Sequence, residues 1–382
     1  MRRIDMHFHV GLRGNRWPKL GSVSARFLNS VPFKVFRRFG KFSEAQIGDD
    51  YLLHDALKER ITAPTQVDGV VCLALDKAHT PDGKEVPRGA MWVSNEYVFQ
   101  LHEELGDRAL PGISVHPFRS DFRERVARLA DKNPVLMKWL PSTMMIPPWD
   151  PRVGDAMEYL ATAGPRGRPL PLLIHVGPEH GIPEPAGFEG KCRTFDYLSW
   201  KKGARRPRGA PKPDVAGTLR NLRRARDAGG IIILAHSGLR FYPFEHSDLD
   251  TVLKLLRENG PKTKGRIFAD VSALAWFVRW SSWKKLAKDR YKEWLLFGSD
   301  FAVPVTQRGS QSERAADYAK RVLGTSSLKR MRADTLCDRI LRLIPVPSGS
   351  LVDATHREMV LAFGSDHPVF TNFNALLPGA SG

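Results

Sequence analysis

Six residues that could bind a metal or move a proton stand at the ends of short apolar segments of this sequence. They are His7 and His9 in RIDMHFH, Lys138 in VLMKWL, His175 in PLLIHV, His236 in IIILAH and Asp300 in WLLFGSD. Imidazole and carboxylate groups are the ligands that borderline divalent cations such as Zn²⁺ prefer. Each residue alone is compatible with a packing role, but their recurrence at the ends of five segments predicts a metal site.

Eight apolar segments of this kind alternate with stretches of helical periodicity. They cover residues 3–9, 69–75, 111–116, 135–140, 171–176, 231–236, 266–272 and 294–300. Strands that alternate with helices imply βαβ units and a parallel sheet. Eight such units predict a closed (β/α)8 barrel, which belongs to the α/β class.

A barrel of this kind would bring the six residues together. Side chains at positions i and i+2 of a strand share one face, so His7 and His9 should point the same way. The carboxyl ends of the eight strands meet at one mouth, where barrel active sites are built. Two long connections, 10–66 and 177–214, leave this end of their strands and are expected to be functional lids or disordered segments. We predict a barrel domain over residues 1–343 and a C-terminal extension over 344–382.

The tetrapeptide FGSD occurs twice, at residues 297–300 and 363–366. Both copies follow an apolar run, so both could be strand ends that present an aspartate. Two segments of helical periodicity, 312–324 and 327–344, follow the first copy, as a barrel requires after its eighth strand. Only 16 residues follow the second copy. We therefore predict that Asp300 is functional and that Asp366 belongs to a tail.

Composition limits the remaining possibilities. No apolar stretch approaches the roughly 18 residues of a membrane span. The three cysteines have no metal-binding spacing, which fits a reducing compartment, and we expect a cytoplasmic protein. The net charge of +18 favours anionic partners. The densest basic run, 201–213, reads as a solvated loop without aromatic interleaving, so nucleic acid is not the expected partner.

Taken together, the motifs DMHFH, LMKWLPS, LLIHVGPE, ILAHSG and LFGSDFAVP resemble the amidohydrolase superfamily. They are most similar to its amidohydrolase-related branch of metal-dependent TIM-barrel hydrolases and decarboxylases, and they span residues 4–304. The resemblance implies that His7, His9 and Asp300 bind one divalent metal, with zinc expected. It implies that His175 and His236 bind a second ion, bridged to the first by a carboxylated Lys138. In members with a single metal, one of His175 and His236 is a metal ligand and the other is the catalytic histidine.

The resemblance also implies a reaction. A metal-activated water would attack an ester, lactone, amide or phosphoester of a small anionic substrate, with Asp300 as general base and then acid, and with His236 as a second catalytic residue. One alternative is a mononuclear non-oxidative decarboxylase or hydratase of the same superfamily. Another is a TatD-like nuclease, although these usually have glutamate in place of Lys138. A basic nucleic-acid-binding barrel without activity is the non-enzymatic alternative.

Polar and aromatic residues beyond the strand ends are candidates for binding the substrate. This set comprises Arg13, His116, Trp139, His180, Arg240 and Tyr242. The arginines, with the basic charge of the chain, favour a carboxylate- or phosphate-bearing small molecule. We expect a homo-oligomer, most simply a dimer, and no association with membranes.

Overall fold

The computed structural model describes residues 1–63, 65–87, 89–200, 209–241, 245–307 and 345–378. Its strands are β1 (Ile4–His9), β2 (Gly21–Val23), β3 (Gly69–Leu73), β4 (Met91–Val93), β5 (Ala109–Ile113), β6 (Leu136–Trp139), β7 (Leu172–Ile174), β8 (Ile231–Leu234), β9 (Arg266–Asp270) and β10 (Leu295–Leu296). Eight of them form one parallel sheet in the order β1-β3-β5-β6-β7-β8-β9-β10. The first and last strands meet through a 3.1 Å hydrogen bond from the Met6 amide to the Phe297 carbonyl and a parallel bridge between Phe8 and Phe301. The predicted (β/α)8 barrel is therefore confirmed.

Helices surround the barrel and cover its mouth. In chain order they are α1 (Ala25–Leu28), α2 (Val31–Phe39), α3 (Glu44–Gly48), α4 (Asp50–Thr62), α5 (Asn95–Leu105), α6 (Phe122–Ala130), α7 (Pro141–Met144), α8 (Pro151–Tyr159), α9 (Val215–Asp227), α10 (Leu249–Arg257), α11 (Trp283–Leu286) and α12 (Leu351–Phe363). Each of the eight predicted apolar segments overlaps one strand of the barrel, and the third strand begins two residues before its segment.

Apolar side chains from every strand fill the barrel interior below the mouth. The cluster contains Ile4, Met6, Val71, Leu73, Leu110, Leu136, Leu173, Ile233, Phe268 and Leu296. The register between β1 and β3 shifts between Asp5 and Phe8. Because of this shift, Met6 packs in the interior and yet the next residue, His7, faces the site. Simple alternation along β1 would have placed these two neighbours on opposite faces.

The connection after β1 is folded. Ser30 and Asp49 cap α2 and α4 through side-chain hydrogen bonds to backbone amides. The buried carboxylate of Asp50 accepts hydrogen bonds from the amides of Gly14, Arg16 and Trp17 at 2.8–2.9 Å, which fixes the start of the connection. The antiparallel pair β2–β4 was not anticipated, since each strand has only three residues and gives no periodic signal.

The end of the C-terminal segment, residues 368–376, lies at the opposite end of the barrel from the mouth. Val369 accepts a 2.9 Å hydrogen bond from the amide of Phe297, and Asn372 donates to the carbonyls of Lys292 and Leu295. Phe373 is 1% exposed and completes the interior cluster from below. Helix α12 was not recognised in the sequence, because its apolar MVLAF end reads equally well as a strand. The second FGSD is the end of this helix.

Several parts of the sequence interpretation fall outside the described residues. They include the helical segments 312–324 and 327–344 and most of the basic run 201–213, so the proposed domain boundary at residue 343 stays a prediction. Within the described ranges, no helix has the length and apolarity needed to cross a bilayer.

Candidate metal and active site

His7 and His9 lie side by side at the end of β1. Their ring centroids are 5.0 Å apart, and the His7 ring stacks on that of His236 at 4.9 Å. His7 is completely buried, whereas His9 is partly exposed to the cavity above. Burial, the largest influence, lowers the pKa of His7, so its ring is neutral at physiological pH. A neutral imidazole has the lone pair that a metal ligand requires.

Asp270, the last residue of β9, fixes which nitrogen of His7 faces the site. Its Oδ2 lies 2.8 Å from His7 Nδ1, so Nδ1 carries the proton and Nε2 presents a lone pair. The same carboxylate accepts hydrogen bonds through Oδ1 from the His236 amide, at 2.8 Å, and from Ser272. Burial opposes ionisation, but the field and hydrogen bond of His7 hold the pKa of Asp270 below its usual value. This is the carboxylate–histidine arrangement that orients metal ligands in proteins.

Lys138 approaches the histidines from β6. The side chain is 1% exposed, and its Nζ lies 3.1 Å from His7 Nε2. Burial lowers the pKa of this ammonium to about 8, against the stabilising charges of Asp270 and Asp300. Its neighbour on the strand, Trp139, points the other way, into the helix layer.

His175 follows β7 and has a nitrogen with no hydrogen-bond partner among the described residues. Its Nδ1 lies 3.3 Å from Oε2 of Glu179, four residues further along the chain. Its Nε2 is buried and has no partner among the described residues. Burial lowers the pKa of His175 to about 4, so the unpartnered nitrogen carries a lone pair. An unsatisfied buried nitrogen of this kind is costly unless something binds there.

Asp300 and His236 face each other across the site. Asp300 Oδ1 lies 3.2 Å from His9 Nε2 and 3.6 Å from His7 Nε2, while its Oδ2 lies 3.6 Å from His236 Nδ1. Burial by itself would raise the pKa of Asp300, but the field of His236 and His7 and the hydrogen bond of His9 hold it well below its usual value. His236 Nδ1 is also 2.7 Å from Ser272 Oγ. The two oxygens of Asp300 therefore serve different neighbours.

The backbone around these residues is unusual. Asp300, His236 and Ser237 have φ values of 56°, 54° and 51°, the left-handed region that side chains other than glycine rarely adopt. Such conformations concentrate at functional sites, where the surrounding structure compensates their cost. The Asp300 amide donates to the His7 carbonyl at 2.9 Å, which joins the end of β10 to β1.

Asp5 and Gly298 complete this junction. The buried carboxylate of Asp5 accepts hydrogen bonds from the amides of Ser299, at 2.8 Å, and His7, at 3.2 Å. Burial raises its pKa to about 7. A methyl group on Gly298 would come within 2.7 Å of His7 Cβ, so only glycine allows the two strand ends to approach this closely. The FGSD tetrapeptide at 297–300 is thus bound to DMHFH residue by residue.

A cavity of about 620 Å³ opens above the site. Its floor is polar and includes His9, His175, His236 and Asp300. Its outer wall is apolar and rich in phenylalanine from the connection after β1 and from later loops: Phe27, Phe33, Phe36, Phe42, Phe241 and Phe301. Arg26 joins this connection to the one after β7 through an ion pair with Glu189 and a hydrogen bond to the Glu184 carbonyl. A cavity of this size and polarity is typical of a small-molecule site.

The six predicted substrate-binding residues have different locations. Arg13 and His180 line the cavity, where Arg13 donates to the Val23 carbonyl at 3.1 Å and His180 pairs with Glu245. Arg240 does not line the cavity, and Tyr242 lies outside the described residues.

Two of the six lie in the packing, away from the cavity. Trp139 is buried against the helices and donates Nε1–H to the Val115 carbonyl at 2.8 Å. His116 is buried between the Met144 carbonyl, 2.7 Å from Nε2, and the Phe118 amide, which donates to Nδ1 at 3.1 Å. Both ring nitrogens of His116 are therefore used within the protein.

Several neighbours of the site were missed in the sequence. Asp270 carried a usable signal, since RIFADVS places a carboxylate at the end of a predicted strand. Glu179 lies four residues after His175, and this spacing could also have identified it in the sequence as a neighbour of the site. Ser272 and Asp5 gave no signal, because their roles depend on contacts between strands.

The donor set fits a divalent cation. His7, His9 and Asp300 offer ligand atoms within 4.8 Å of one another, and so do His7, His236 and Asp270. The Nε2 of His175, which has no partner among the described residues, and the neutral state that burial favours for His7, His175 and His236 are consistent with the same ligand. Nitrogen and carboxylate donors in this number suit zinc or a similar metal.

Comparison with known proteins gave matches among solved structures alone: no family model and no curated protein matches the chain. An amidohydrolase of Burkholderia multivorans with bound zinc has 14% identity and a TM-score of 0.42, over 90% of this chain and all of its own. The 5-carboxyvanillate decarboxylase of Sphingomonas paucimobilis has 15% identity and a TM-score of 0.41, over 89% and 99%. An uncharacterised TIM-barrel protein of Bordetella bronchiseptica has 11% identity and a TM-score of 0.44, over 90% and 99%. Hydrolases and decarboxylases of the amidohydrolase superfamily are thus among the structural neighbours, but similarity this distant carries no functional argument.

Proposed function

We propose that this protein is a metal-dependent hydrolase of the amidohydrolase type. It acts on an ester, lactone, amide or phosphoester of a small anionic substrate. The observation that carries the proposal is the meeting of four imidazoles, Lys138 and Asp300 at one end of the barrel, on the floor of a cavity. The hydrogen bond between His7 Nδ1 and Asp270 leaves the lone pair of His7 on Nε2, where it can bind a metal.

We assign the donor atoms to two groups, with Lys138 between them. His7, His9 and Oδ1 of Asp300 would hold the first ion, most simply Zn²⁺, and His175 with His236 would hold the second. A carboxylated Lys138 would bridge them, because an anionic carbamate suits a place between two cations where an ammonium does not. A single ion on the first group is the simpler variant of the same site. Bound metal supplies Lewis acidity, which lowers the pKa of a water nucleophile and polarises the bond under attack.

Asp300 would move the proton. Its Oδ1 faces the histidines of β1, so Oδ2, which lies 3.6 Å from His236 Nδ1, is the oxygen available to accept a proton and return it to the leaving group. His236 would hold that carboxylate in place and assist the transfer. Its own Nδ1 is within 2.7 Å of Ser272 Oγ, which restricts the orientation of the ring.

The walls of the cavity would hold the substrate and exclude water. Arg13 and His180 remain candidates for polar contacts, since both line the cavity. The phenylalanine-rich wall lines the space above the metal site, and the ion pair between Arg26 and Glu189 joins two of the surrounding connections. A concave cavity with apolar walls suits a small molecule better than a nucleic-acid strand, which needs an open basic groove.

The second candidate is a mononuclear decarboxylase or hydratase. It is favoured by the 3.1 Å contact between Lys138 Nζ and His7 Nε2, since in this structure Lys138 is a plain amine and not a carbamate. In that case His175 or His236 would transfer protons and one ion would hold the substrate. We further expect a cytoplasmic homodimer.

The test uses the full chain, stripped with a chelator and then reloaded with Zn²⁺. Turnover is measured on a panel of carboxylate-bearing esters, lactones, amides and phosphoesters, with CO₂ release from aromatic and unsaturated acids measured in parallel. We expect hydrolysis that disappears on chelation and returns with zinc. Hydrolysis that persists after complete chelation would refute the proposal, and CO₂ release without hydrolysis would favour the second candidate. Degradation of single-stranded DNA would identify a nuclease instead.

The lysine bridge has its own test. Lys138→Ala should lower the number of ions per chain and should regain some activity when short carboxylic acids are added, because they can occupy the bridging position. Unchanged metal stoichiometry in this variant would indicate a mononuclear site.

A further inference from the structure

Arg279 is a buried arginine that the reaction described above does not use. It lies in the 3₁₀ segment Phe277–Ser282, which follows β9 at the mouth of the barrel. Its side chain is buried, and it lines the cavity that contains Asp300 and His236. Charged side chains are rarely buried without a partner, so this position requires an explanation.

Backbone carbonyls hold the guanidinium in one orientation. Nε donates to the Arg240 carbonyl at 2.9 Å, and Nη2 donates to the Leu239 carbonyl at 3.1 Å. The Phe241 ring lies 5.9 Å from the guanidinium carbon. The remaining nitrogen, Nη1, is buried and has no hydrogen-bond partner among the described residues. The guanidinium is therefore preorganised, and the unpaired donors of Nη1 are available to a ligand.

Within the described residues, the charge of Arg279 also has no ion-pair partner of its own. Burial lowers its pKa to about 10, and the carboxylates of Asp300 and Glu245 act on it only through their field. Both are engaged elsewhere, Asp300 with the histidines and Glu245 with His180. A buried guanidinium with free N–H donors matches a carboxylate in both charge and geometry.

Three of the four other arginines at the cavity are already occupied, and the fourth, Arg193, is exposed to solvent. Arg26 pairs with Glu189, Arg37 with Glu44 at 2.6 Å, and Arg13 donates to a backbone carbonyl. All three are partly exposed, whereas Arg279 is buried beside the catalytic floor. The cavity therefore offers one desolvated anion site near Asp300.

Much of the rest of the cavity wall is apolar. Helix α2 contributes Phe33 and Phe36, which pack edge-on against Phe27 with centroids 5.3 and 6.3 Å from it. Phe301 stands just after Asp300, and Phe42 packs against it at 6.1 Å. Aromatic surfaces of this extent would favour a bulky apolar group over a second polar one.

We propose that Arg279 is the anion anchor of this cavity and that the substrate is a carboxylic acid carrying a bulky apolar group, which lies against the phenylalanine-lined wall while its reacting bond reaches the metal site. This inference deepens the proposed hydrolase function by naming the substrate class. It also stands as a statement about binding, so it can be tested without turnover.

The first test needs no substitution. Binding of 4-phenylbutanoate, 4-phenylbutan-1-ol and acetate to the full chain is measured by calorimetry, with the protein either zinc-loaded or chelator-treated. We expect 4-phenylbutanoate to bind at least about tenfold more tightly than either the neutral alcohol or acetate, in both metal states. Equal affinity for acid and alcohol would overturn the anion anchor, and equal affinity for phenylbutanoate and acetate would overturn the apolar wall. Loss of acid binding on chelation would assign the carboxylate to the metal and also overturn the anchor.

The second test removes the anchor. Arg279→Met, with folding checked by circular dichroism, should weaken binding of 4-phenylbutanoate by about 10- to 100-fold and leave the alcohol unchanged. Arg257→Met, an exposed position on α10, is the matched control and should bind both probes like the wild type. Unchanged acid affinity in Arg279→Met would contradict the proposal. If the protein proves not to be a hydrolase, these binding results still decide the anchor separately.

Discussion

The two FGSD copies have the same four residues and different surroundings. In the copy at 297–300, the aspartate is buried beside four imidazoles, with a φ of 56°. In the copy at 363–366, Phe363 ends helix α12, Gly364 has a φ of 90°, and Asp366 is exposed. The two are nevertheless in indirect contact, because His356 of α12 packs against Phe297 with ring centroids 5.7 Å apart.

This difference shows that the tetrapeptide acquires a function only from the strand that pairs with it. The first copy is held by DMHFH through the Asp5 carboxylate and the His7 carbonyl. The second copy has no such partner strand, since a helix precedes it and a 3₁₀ turn, Pro368–Phe370, follows it.

The largest expected effect is that of Asp300→Asn. The amide cannot accept the proton that we assign to Oδ2, so kcat should fall by about 10²- to 10⁴-fold. Asp366→Asn is the matched control and should change kcat by less than about twofold, because an exposed side chain contributes little. Comparable losses in both variants, measured by steady-state kinetics, would refute the distinction between the copies.

Substitutions at the glycines of the two copies, Gly298 and Gly364, should differ in their effects in the same way. Alanine at 298 places a methyl group within 2.7 Å of His7 Cβ and 3.2 Å of Ser272 Cβ, so β1 and β10 must move apart. We expect Gly298→Ala to lower bound metal and to reduce turnover by about a hundredfold, since small displacements of catalytic groups are costly. Gly364→Ala meets open space but a φ of 90°, and should cost about 1 kcal/mol of stability with turnover intact. The reverse ranking in elemental analysis and kinetics would contradict this.

Asp270 is another carboxylate at a strand end, and its expected role differs from that of Asp300. Asp270 touches His7 at 2.8 Å and orients it rather than reacting. Asp270→Asn should therefore lower metal affinity and activity by about 10- to 100-fold, a smaller loss of activity than that of Asp300→Asn at its upper range. Excess zinc should restore part of the activity of the Asp270 variant but not that of the Asp300 variant. Failure of zinc to distinguish them would place both aspartates in the same role.

The smallest expected effect is on stability and concerns His356, whose contact with Phe297 links the two copies. Burial lowers the pKa of His356 to about 4, below its ordinary value of 6.5. The unfolded chain takes up this proton first, so the stability that the neutral ring provides is present above pH 6.5 and is lost as the pH falls toward 4. Urea unfolding at pH 7.5 and 4.5 should show a loss on the order of 1–3 kcal/mol from this residue. His356→Gln should reduce the pH dependence, and an identical dependence would contradict the assignment.

Much of the barrel could be predicted because its signals are local. Each β-branched run such as IIIL at 231–234 is short, buried and followed by a helix, so periodicity alone identified it. The positions of His7, His175, His236 and Asp300 followed once the strand ends were known, since parallel strands converge at one mouth.

The rest of the site depends on contacts that no local pattern contains. Arg279 becomes an anchor only because Leu239 and Arg240, some 40 residues earlier, supply the carbonyls that hold it. His116 resembled a site residue by its position after a strand, and only the Met144 carbonyl shows that it is occupied. The strained φ of Asp300 likewise follows from pairing with β1 rather than from the FGSD sequence itself.

The central claim is that the strand ends of this barrel bind a divalent metal. The most direct test is elemental analysis of the full chain, expressed in zinc-supplemented medium and purified without chelators. We predict one or two divalent ions per chain in the wild type and in Asp366→Asn, and a clear deficit in Asp300→Asn. A wild-type protein with no bound divalent metal under these conditions would contradict the account.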